Sequence, residues 1–112
     1  MELTEYRYAT LLVSASQGFV KTLQSLLPPS VYDPISVRCD AASARRSLLE
    51  SRFDIVIVNT PLPDEFGTAL ALDACADSGA GVLLLVRAEL FPQVNEQASP
   101  SGVLTLPKPL SQ

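Results

Sequence analysis

The feature that most constrains the fold of this chain is the alternation of short, largely apolar segments with segments of helical periodicity. The apolar segments show no polar–apolar alternation, which is typical of strands buried on both faces of a sheet. The clearest of them, FDIVIV, is rich in β-branched residues and is followed by the turn formers Asn59, Thr60 and Pro61. Strands are therefore predicted at 9–13, 35–39, 53–58, 81–86 and 103–106.

Helices are predicted in the four intervals between these strands. Ser16 is a favourable N-cap for the first helix, whose apolar residues recur at helical spacing. The second helix is predicted to start at Asp40 or Ser43. The third covers about 66–77, and the fourth, 89–98, is expected mainly from the alternation of elements.

The predicted order βαβαβαβαβ indicates an α/β fold with one parallel sheet and helices on both of its faces. Five such strands favour the doubly wound, flavodoxin-like strand order 2-1-3-4-5. In that order a functional site is expected at the carboxyl ends of the first and third strands. A fifth helix, usual in such sheets, is missing after the last strand. We therefore expect residues 1–112 to be one domain of a longer protein, truncated before that helix and a C-terminal output domain.

Composition excludes several classes of function. The net charge is −4 at pH 7 and Arg45–Arg46 is the only adjacent basic pair, so this chain is not expected to bind nucleic acid by itself. There is no histidine, and Cys39 and Cys75 are far apart, which favours two small buried thiols over a disulfide or a metal site. Without a signal peptide or a long apolar run, a cytoplasmic protein is expected, with no membrane partner.

A family resemblance appears at the strand ends. The segment FDIVIVNTPLPDEFG resembles the third strand and following loop of response-regulator receiver domains, and LPKPL resembles their fifth strand. In that family a carboxylate after the third strand accepts a phosphoryl group and an acidic pair after the first strand holds magnesium. A hydroxyl residue after the fourth strand and a lysine after the fifth bind the phosphoryl oxygens. Metal and cation stabilise charge on those oxygens during transfer.

This sequence departs from the family pattern at nearly every one of these positions. The acceptor position is Asn59, an amide that cannot form an acyl phosphate, and Ser14 and Ala15 replace the acidic pair. Val86 stands at the hydroxyl position, and Lys108 alone is retained. The aromatic residue expected three positions before that lysine is Thr105. The resemblance therefore implies a pseudo-receiver, with no enzyme activity and no cofactor.

Two other uses of this region remain open. Asp64, in the loop after the third strand, is a candidate substitute phosphoacceptor, although a carboxylate there is also typical of a turn or of a cap before Phe66 and Gly67. The degenerate pocket could instead hold a small anion at the N-terminus of the first helix. Its contacts would be Ser14, Ser16, Asn59 and Lys108.

The phrases LLVSAS, NTPLPDEFG, GVLLLVRAEL and VLTLPKPLS resemble the receiver-like half of ANTAR-type antitermination regulators. That resemblance implies a dimeric regulatory module that controls a C-terminal RNA-binding output. Two apolar surfaces are candidate dimer interfaces. One is the face left by the missing fifth helix, and the other lies around Leu90, Phe91 and Val94.

Overall fold

Five parallel strands form a single sheet in the computed structural model, which describes residues 6–109. The strand order is β2-β1-β3-β4-β5, so the predicted doubly wound order is confirmed. The strands are β1 (Thr10–Val13), β2 (Ile35–Arg38), β3 (Ile55–Asn59), β4 (Gly81–Arg87) and β5 (Leu104–Lys108).

Helices fill the four predicted intervals: α1 (Gln17–Leu26), α2 (Ala41–Glu50), α3 (Thr68–Ser78) and α4 (Phe91–Ala98). Ser16 caps α1, since its hydroxyl accepts a hydrogen bond from the Phe19 amide at 3.2 Å. Asp40, one of the two predicted caps, plays the same part for α2 by accepting from the Ser43 amide at 2.8 Å. The caps explain why these helices begin within a residue or two of their predicted positions.

The sheet separates two apolar cores because alternate residues of each strand point to opposite faces. The larger core lies under α2, α3 and α4, and the smaller core lies under α1. Leu11, Val56 and Leu84 belong to the larger core, and the next residues along β1 and β3, Leu12 and Ile57, belong to the smaller one.

The α1 side of the sheet is incompletely covered in the part of the chain that the structure describes. Leu23 of α1 packs on Leu12 and Ile57, whereas Leu83 and Leu106, farther across the sheet, are only partly buried. Leu104 at the start of β5 is 55% exposed. Apolar surface therefore remains over the β4–β5 half of this face. No helix of residues 6–109 is long and apolar enough to cross a membrane.

Three sequence predictions need correction. Cys39 is exposed and Cys75 only partly buried, where it donates to the Ser101 carbonyl at 3.3 Å, so the expectation of two buried thiols was wrong. The third helix begins at Thr68, because Gly67 has φ +125° and lies outside helical geometry.

The surface around the start of α4 was also predicted incorrectly. Val94 is buried, and Leu90 and Phe91 pack partly buried against the larger core. A short 3₁₀ turn, Ala88–Leu90, brings the chain from β4 back onto the sheet and turns these side chains inward. They therefore pack mainly into the core, which leaves little apolar surface here for an interface.

Candidate functional site

The carboxyl ends of β1, β3 and β5 bring three of the predicted site residues together. Ser14 directly follows β1, Asn59 ends β3 and Lys108 ends β5. The Lys108 ammonium donates to Asn59 Oδ1 at 2.9 Å, and Asn59 Nδ2 donates to Ser14 Oγ at 3.0 Å. These side chains form one continuous hydrogen-bonded row, which we call the Ser14–Asn59–Lys108 chain.

Asn59 is the centre of this row and is only 7% exposed. Its orientation follows from its neighbours, because an ammonium group has only donors and must face the amide oxygen. The amide nitrogen is then left to donate to Ser14, whose hydroxyl oxygen accepts. Both ends of the amide are engaged, so its position is fixed by neighbours on either side.

Lys108 makes a second hydrogen bond, to the Thr60 carbonyl at 2.6 Å. Burial lowers the pKa of its ammonium group, and the Arg87 guanidinium lowers that pKa further. The peptide bond from Lys108 to Pro109 is cis. Lys108 is thus held by an amide and a backbone carbonyl in a part of the site that contains no carboxylate partner for it among the described residues.

The side chains of the remaining pocket residues do not extend the row. Ser16 uses its hydroxyl to cap α1, while its amide donates to Ser14 Oγ at 3.1 Å. Ala15 is exposed, and Val86 is fully buried beside β5. The four groups considered as anion contacts therefore already have hydrogen-bond partners within the protein.

Two buried threonines near the row differ in how they are satisfied. Thr60, which the sequence indicates only as a turn former, donates its hydroxyl to the Leu85 carbonyl at 2.9 Å and so joins β3 to β4. Thr105 is 3% exposed. Its hydroxyl oxygen is the one buried side-chain polar atom of the described residues that has no hydrogen-bond partner. Nothing in the local sequence distinguishes these two hydroxyls, because the Leu85 carbonyl that satisfies Thr60 comes from another strand.

Asp64 is engaged by α2 and not by the Ser14–Asn59–Lys108 chain. Its two carboxylate oxygens accept from the Ala41 and Ala42 amides, each at 2.9 Å. These two backbone hydrogen bonds, that of Ala41 first, hold the pKa of the Asp64 carboxyl below its usual value. A capping carboxylate was one of the predicted alternatives, but the helix that it caps is α2 and not the following helix.

Arg45 ties the same loop to α2 and α3. It lies 3.2 Å from a Glu65 carboxylate oxygen and 2.6 Å from one of Asp73. Glu65 also accepts from the Leu70 amide at 3.2 Å. The acidic side chains of the loop after β3 are therefore used to attach that loop to its neighbouring helices.

Replacing Asp64 by alanine is expected to lower the melting temperature by about 5 °C at neutral pH, because α2 loses two cap hydrogen bonds. A group whose folded-state pKa is depressed stabilises the fold above its unfolded pKa, about 3.9. The difference between native and variant should therefore shrink as pH falls below about 4. Thermal unfolding followed by circular dichroism from pH 3 to pH 8 measures it.

Asp64→Asn is the matched control, since an amide offers one acceptor oxygen and no charge. Its melting temperature is expected to lie between those of the native chain and Asp64→Ala. Equal melting temperatures for all three chains at pH 7 would contradict the capping role.

Comparison with known proteins identifies structures that share the fold of this chain. No protein-family model and no curated sequence relative matches the chain. Among solved structures, the signal receiver domain of an HD domain-containing protein from Pseudomonas fluorescens Pf-5 is 24% identical, with a TM-score of 0.78 over 99% of this chain and 82% of that one. A CheY-like response regulator receiver domain from Methylobacillus flagellatus is 18% identical, with a TM-score of 0.79 over 95% and 90%.

A third similar structure is the receiver domain of the sensor histidine kinase PA1611 from Pseudomonas aeruginosa PAO1, which has a magnesium ion coordinated in its active site cleft. It is 20% identical, with a TM-score of 0.73 over 95% of this chain and 88% of that one. These three structures are receiver domains, and the chain shares their fold, a five-stranded parallel sheet of order 2-1-3-4-5 with helices.

Proposed function

We propose that this chain is a non-catalytic regulatory module of signal transduction, a receiver-like domain that lacks the phosphoacceptor aspartate and the magnesium-binding acidic pair. The observation that supports it best is the Ser14–Asn59–Lys108 chain. An amide occupies the end of β3, and it binds the lysine that in a receiver would face a carboxylate. The Ser14–Asn59–Lys108 chain is therefore an internal structural contact at the position where a receiver has its reaction centre.

The chemistry of the donor set argues against phosphoryl transfer at this position. An amide nitrogen is not a nucleophile toward phosphorus, and after β1 the chain offers a hydroxyl and a methyl group at Ser14 and Ala15. Magnesium is held in such sites by carboxylate oxygens, which neither residue supplies. The residues present therefore do not fit the magnesium ion of a working receiver.

Incubation with acetyl phosphate and Mg²⁺ is expected to leave the intact mass of the native chain unchanged. Intact-mass spectrometry measures this, with a competent receiver domain in the same tube to show that the reagent is active. A gain of one phosphoryl group would overturn the proposal, and its location on Asp64 would favour an atypical receiver instead.

The matched variant is Ser14→Asp/Ala15→Asp/Asn59→Asp, which returns carboxylates to all three positions. This variant is expected to bind Mg²⁺ and to gain one phosphoryl group, while Asn59→Asp alone gains none because the metal ligands after β1 are still lacking. A phosphorylated Asn59→Asp single variant would contradict the role assigned to Ser14 and Ala15.

The proposal includes self-association through the apolar surface left on the α1 side of the sheet. Leu104 is 55% exposed there, next to the partly buried Leu83 and Leu106. Contiguous exposed apolar surface is typical of interaction sites. By its resemblance to ANTAR-type regulators, the module would transmit its state to a C-terminal RNA-binding output, whereas the chain itself, with a net charge of −4, is not expected to bind RNA.

Sedimentation equilibrium is expected to show a monomer–dimer equilibrium for the native chain and a monomer for Leu104→Glu, because a carboxylate would be buried at the interface. Leu49→Glu is the control, since Leu49 is 88% exposed on α2, across the sheet. A monomeric native chain at high concentration, or equal dissociation by both variants, would contradict the interface.

A further inference from the structure

A cleft lies beside the Ser14–Asn59–Lys108 chain, between α1 and the edge strand β2. Its volume is about 440 Å³, within the range of small-molecule sites. Val20 of α1 and Val37 of β2 form apolar parts of its wall. Ser14 and Ser43 bring hydroxyl groups to it from the loop after β1 and the first turn of α2.

The charged side chains that line this cleft all have the same sign. Lys21 of α1 and Arg38 of β2 are cationic, and no acidic residue is among the described lining residues. Neither cation lies within 4 Å of a carboxylate of the described residues. The adjoining Asp40 keeps its negative charge, but its carboxylate is hydrogen-bonded to the amide and hydroxyl of Ser43 and forms no ion pair with either cation. Two cations without an ion-pair partner, in a chain of net charge −4, concentrate positive potential at one place.

A second cleft, of about 570 Å³ between α2 and α3, shows the opposite arrangement. Its lining includes Arg45, but this guanidinium is paired with Asp73, which lines the same cleft, and with Glu65. Acidic side chains there offset the cationic ones, so the cleft has no excess of positive charge to attract an anion.

We propose that the α1–β2 cleft binds a phosphate monoester, with Arg38 and Lys21 binding the phosphate and Val20 and Val37 contacting the organic group. Guanidinium groups suit phosphate because they donate two parallel hydrogen bonds, and an ammonium group adds a further donor. Arg38 donates one hydrogen bond to the Val37 carbonyl at 2.7 Å, which leaves its other N–H groups for a ligand.

Such a ligand would contact the Ser14–Asn59–Lys108 chain directly. Ser14 lines the cleft and also accepts the hydrogen bond of Asn59 Nδ2. A phosphate oxygen would accept the Ser14 O–H in place of the Ser16 carbonyl. Reorienting that hydroxyl would change the contact that its oxygen accepts from Asn59 and, through it, that at Lys108 on β5. Binding of a phosphate monoester goes beyond the proposed function and does not depend on whether the chain can be phosphorylated. The binding test and the acetyl phosphate test can therefore fail separately.

Calorimetric titration with AMP is the first test, with adenosine and inorganic phosphate as comparison ligands. AMP is expected to bind saturably and adenosine not to bind. The double variant Lys21→Gln/Arg38→Gln is expected to weaken AMP binding by about tenfold or more. Arg46→Gln/Arg52→Gln, which changes the net charge equally but lies outside the cleft, is expected to bind AMP as the native chain does.

Cys39 provides a second measurement on a chain with both cations intact, since its exposed thiol lines the cleft. In a Cys75→Ser background, AMP is expected to slow alkylation of Cys39 by iodoacetamide several-fold, and adenosine is expected to leave the rate unchanged. Absence of AMP binding, equal weakening by both double variants, or an unprotected Cys39 would each overturn the proposal. Inorganic phosphate binding as tightly as AMP would overturn the assignment to a monoester.

Discussion

Gly67→Ala is expected to lower the free energy of unfolding by about 3 kcal/mol, combining backbone strain with steric overlap. Gly67 has φ +125°, a conformation that residues with a side chain rarely adopt. A Cβ atom there would lie 3.1 Å from Thr60 Cγ2 and 3.1 Å from Val58 Cγ1, both on or beside the buried strand β3. The chain would have to shift to make room for it.

The effect should extend from the turn to the site. Thr60 supplies the carbonyl that accepts from Lys108, and its hydroxyl binds the Leu85 carbonyl. Steric overlap of the new methyl group with the Thr60 side chain would disturb both of these hydrogen bonds. Urea unfolding measures the loss as a lower midpoint with an unchanged slope.

Gly18→Ala is the control for Gly67→Ala. Gly18 lies in the first turn of α1, and a Cβ atom there meets nothing within 4 Å. This substitution is expected to stabilise the fold by up to about 1 kcal/mol, because alanine has less conformational freedom to lose and a higher helix propensity. Similar destabilisation by both substitutions would show that the strain at Gly67 was wrongly assigned.

Asn59→Leu is expected to lower the free energy of unfolding by about 2 kcal/mol. Leucine has the same branched shape as asparagine but offers no acceptor to Lys108 and no donor to Ser14. Both partners would then keep polar groups in a partly or fully buried place with fewer hydrogen bonds, which costs more than the bonds themselves contribute. Urea unfolding at pH 7 gives the difference.

A double-mutant cycle with Lys108→Met isolates the contact between Asn59 and Lys108. The cost of Asn59→Leu should fall when the ammonium group has already been removed. Additive effects of the two substitutions would contradict energetic coupling along the Ser14–Asn59–Lys108 chain.

Asn59→Asp is the conservative companion, since it keeps an acceptor for Lys108 and makes the contact an ion pair. Ser14 can turn its hydroxyl to donate to the new carboxylate. The Lys108 charge would hold the pKa of that carboxyl below its unfolded value, so its contribution should be present at neutral pH and be lost as pH falls below about 4. Loss of stability at pH 7 equal to that of Asn59→Leu would contradict this account of the row.

The sequence alone determined the layers and order of the fold. Buried parallel strands require continuous apolar segments, and the sequence contains such segments, for example IVIV and VLLLV. The starts of α1 and α2 were equally local, since Ser16 and Asp40 cap these helices through amides three residues away. Because the carboxyl ends of parallel strands meet at one edge of the sheet, the sequence alone assigns Ser14, Asn59 and Lys108 to one site.

Only the tertiary structure decided how those side chains are used. Asp64 accepts hydrogen bonds from amides more than twenty residues earlier in the chain. Arg45 of α2 pairs with Glu65 in the loop after β3 and with Asp73 of α3. Hydrogen-bond partners of this kind depend on which elements lie side by side, and no periodicity in the sequence indicates that arrangement. The same holds for Cys39, whose exposure follows from its place just after the edge strand β2. Local patterns thus specify elements, while the use of a polar side chain is set by neighbours that are distant in sequence.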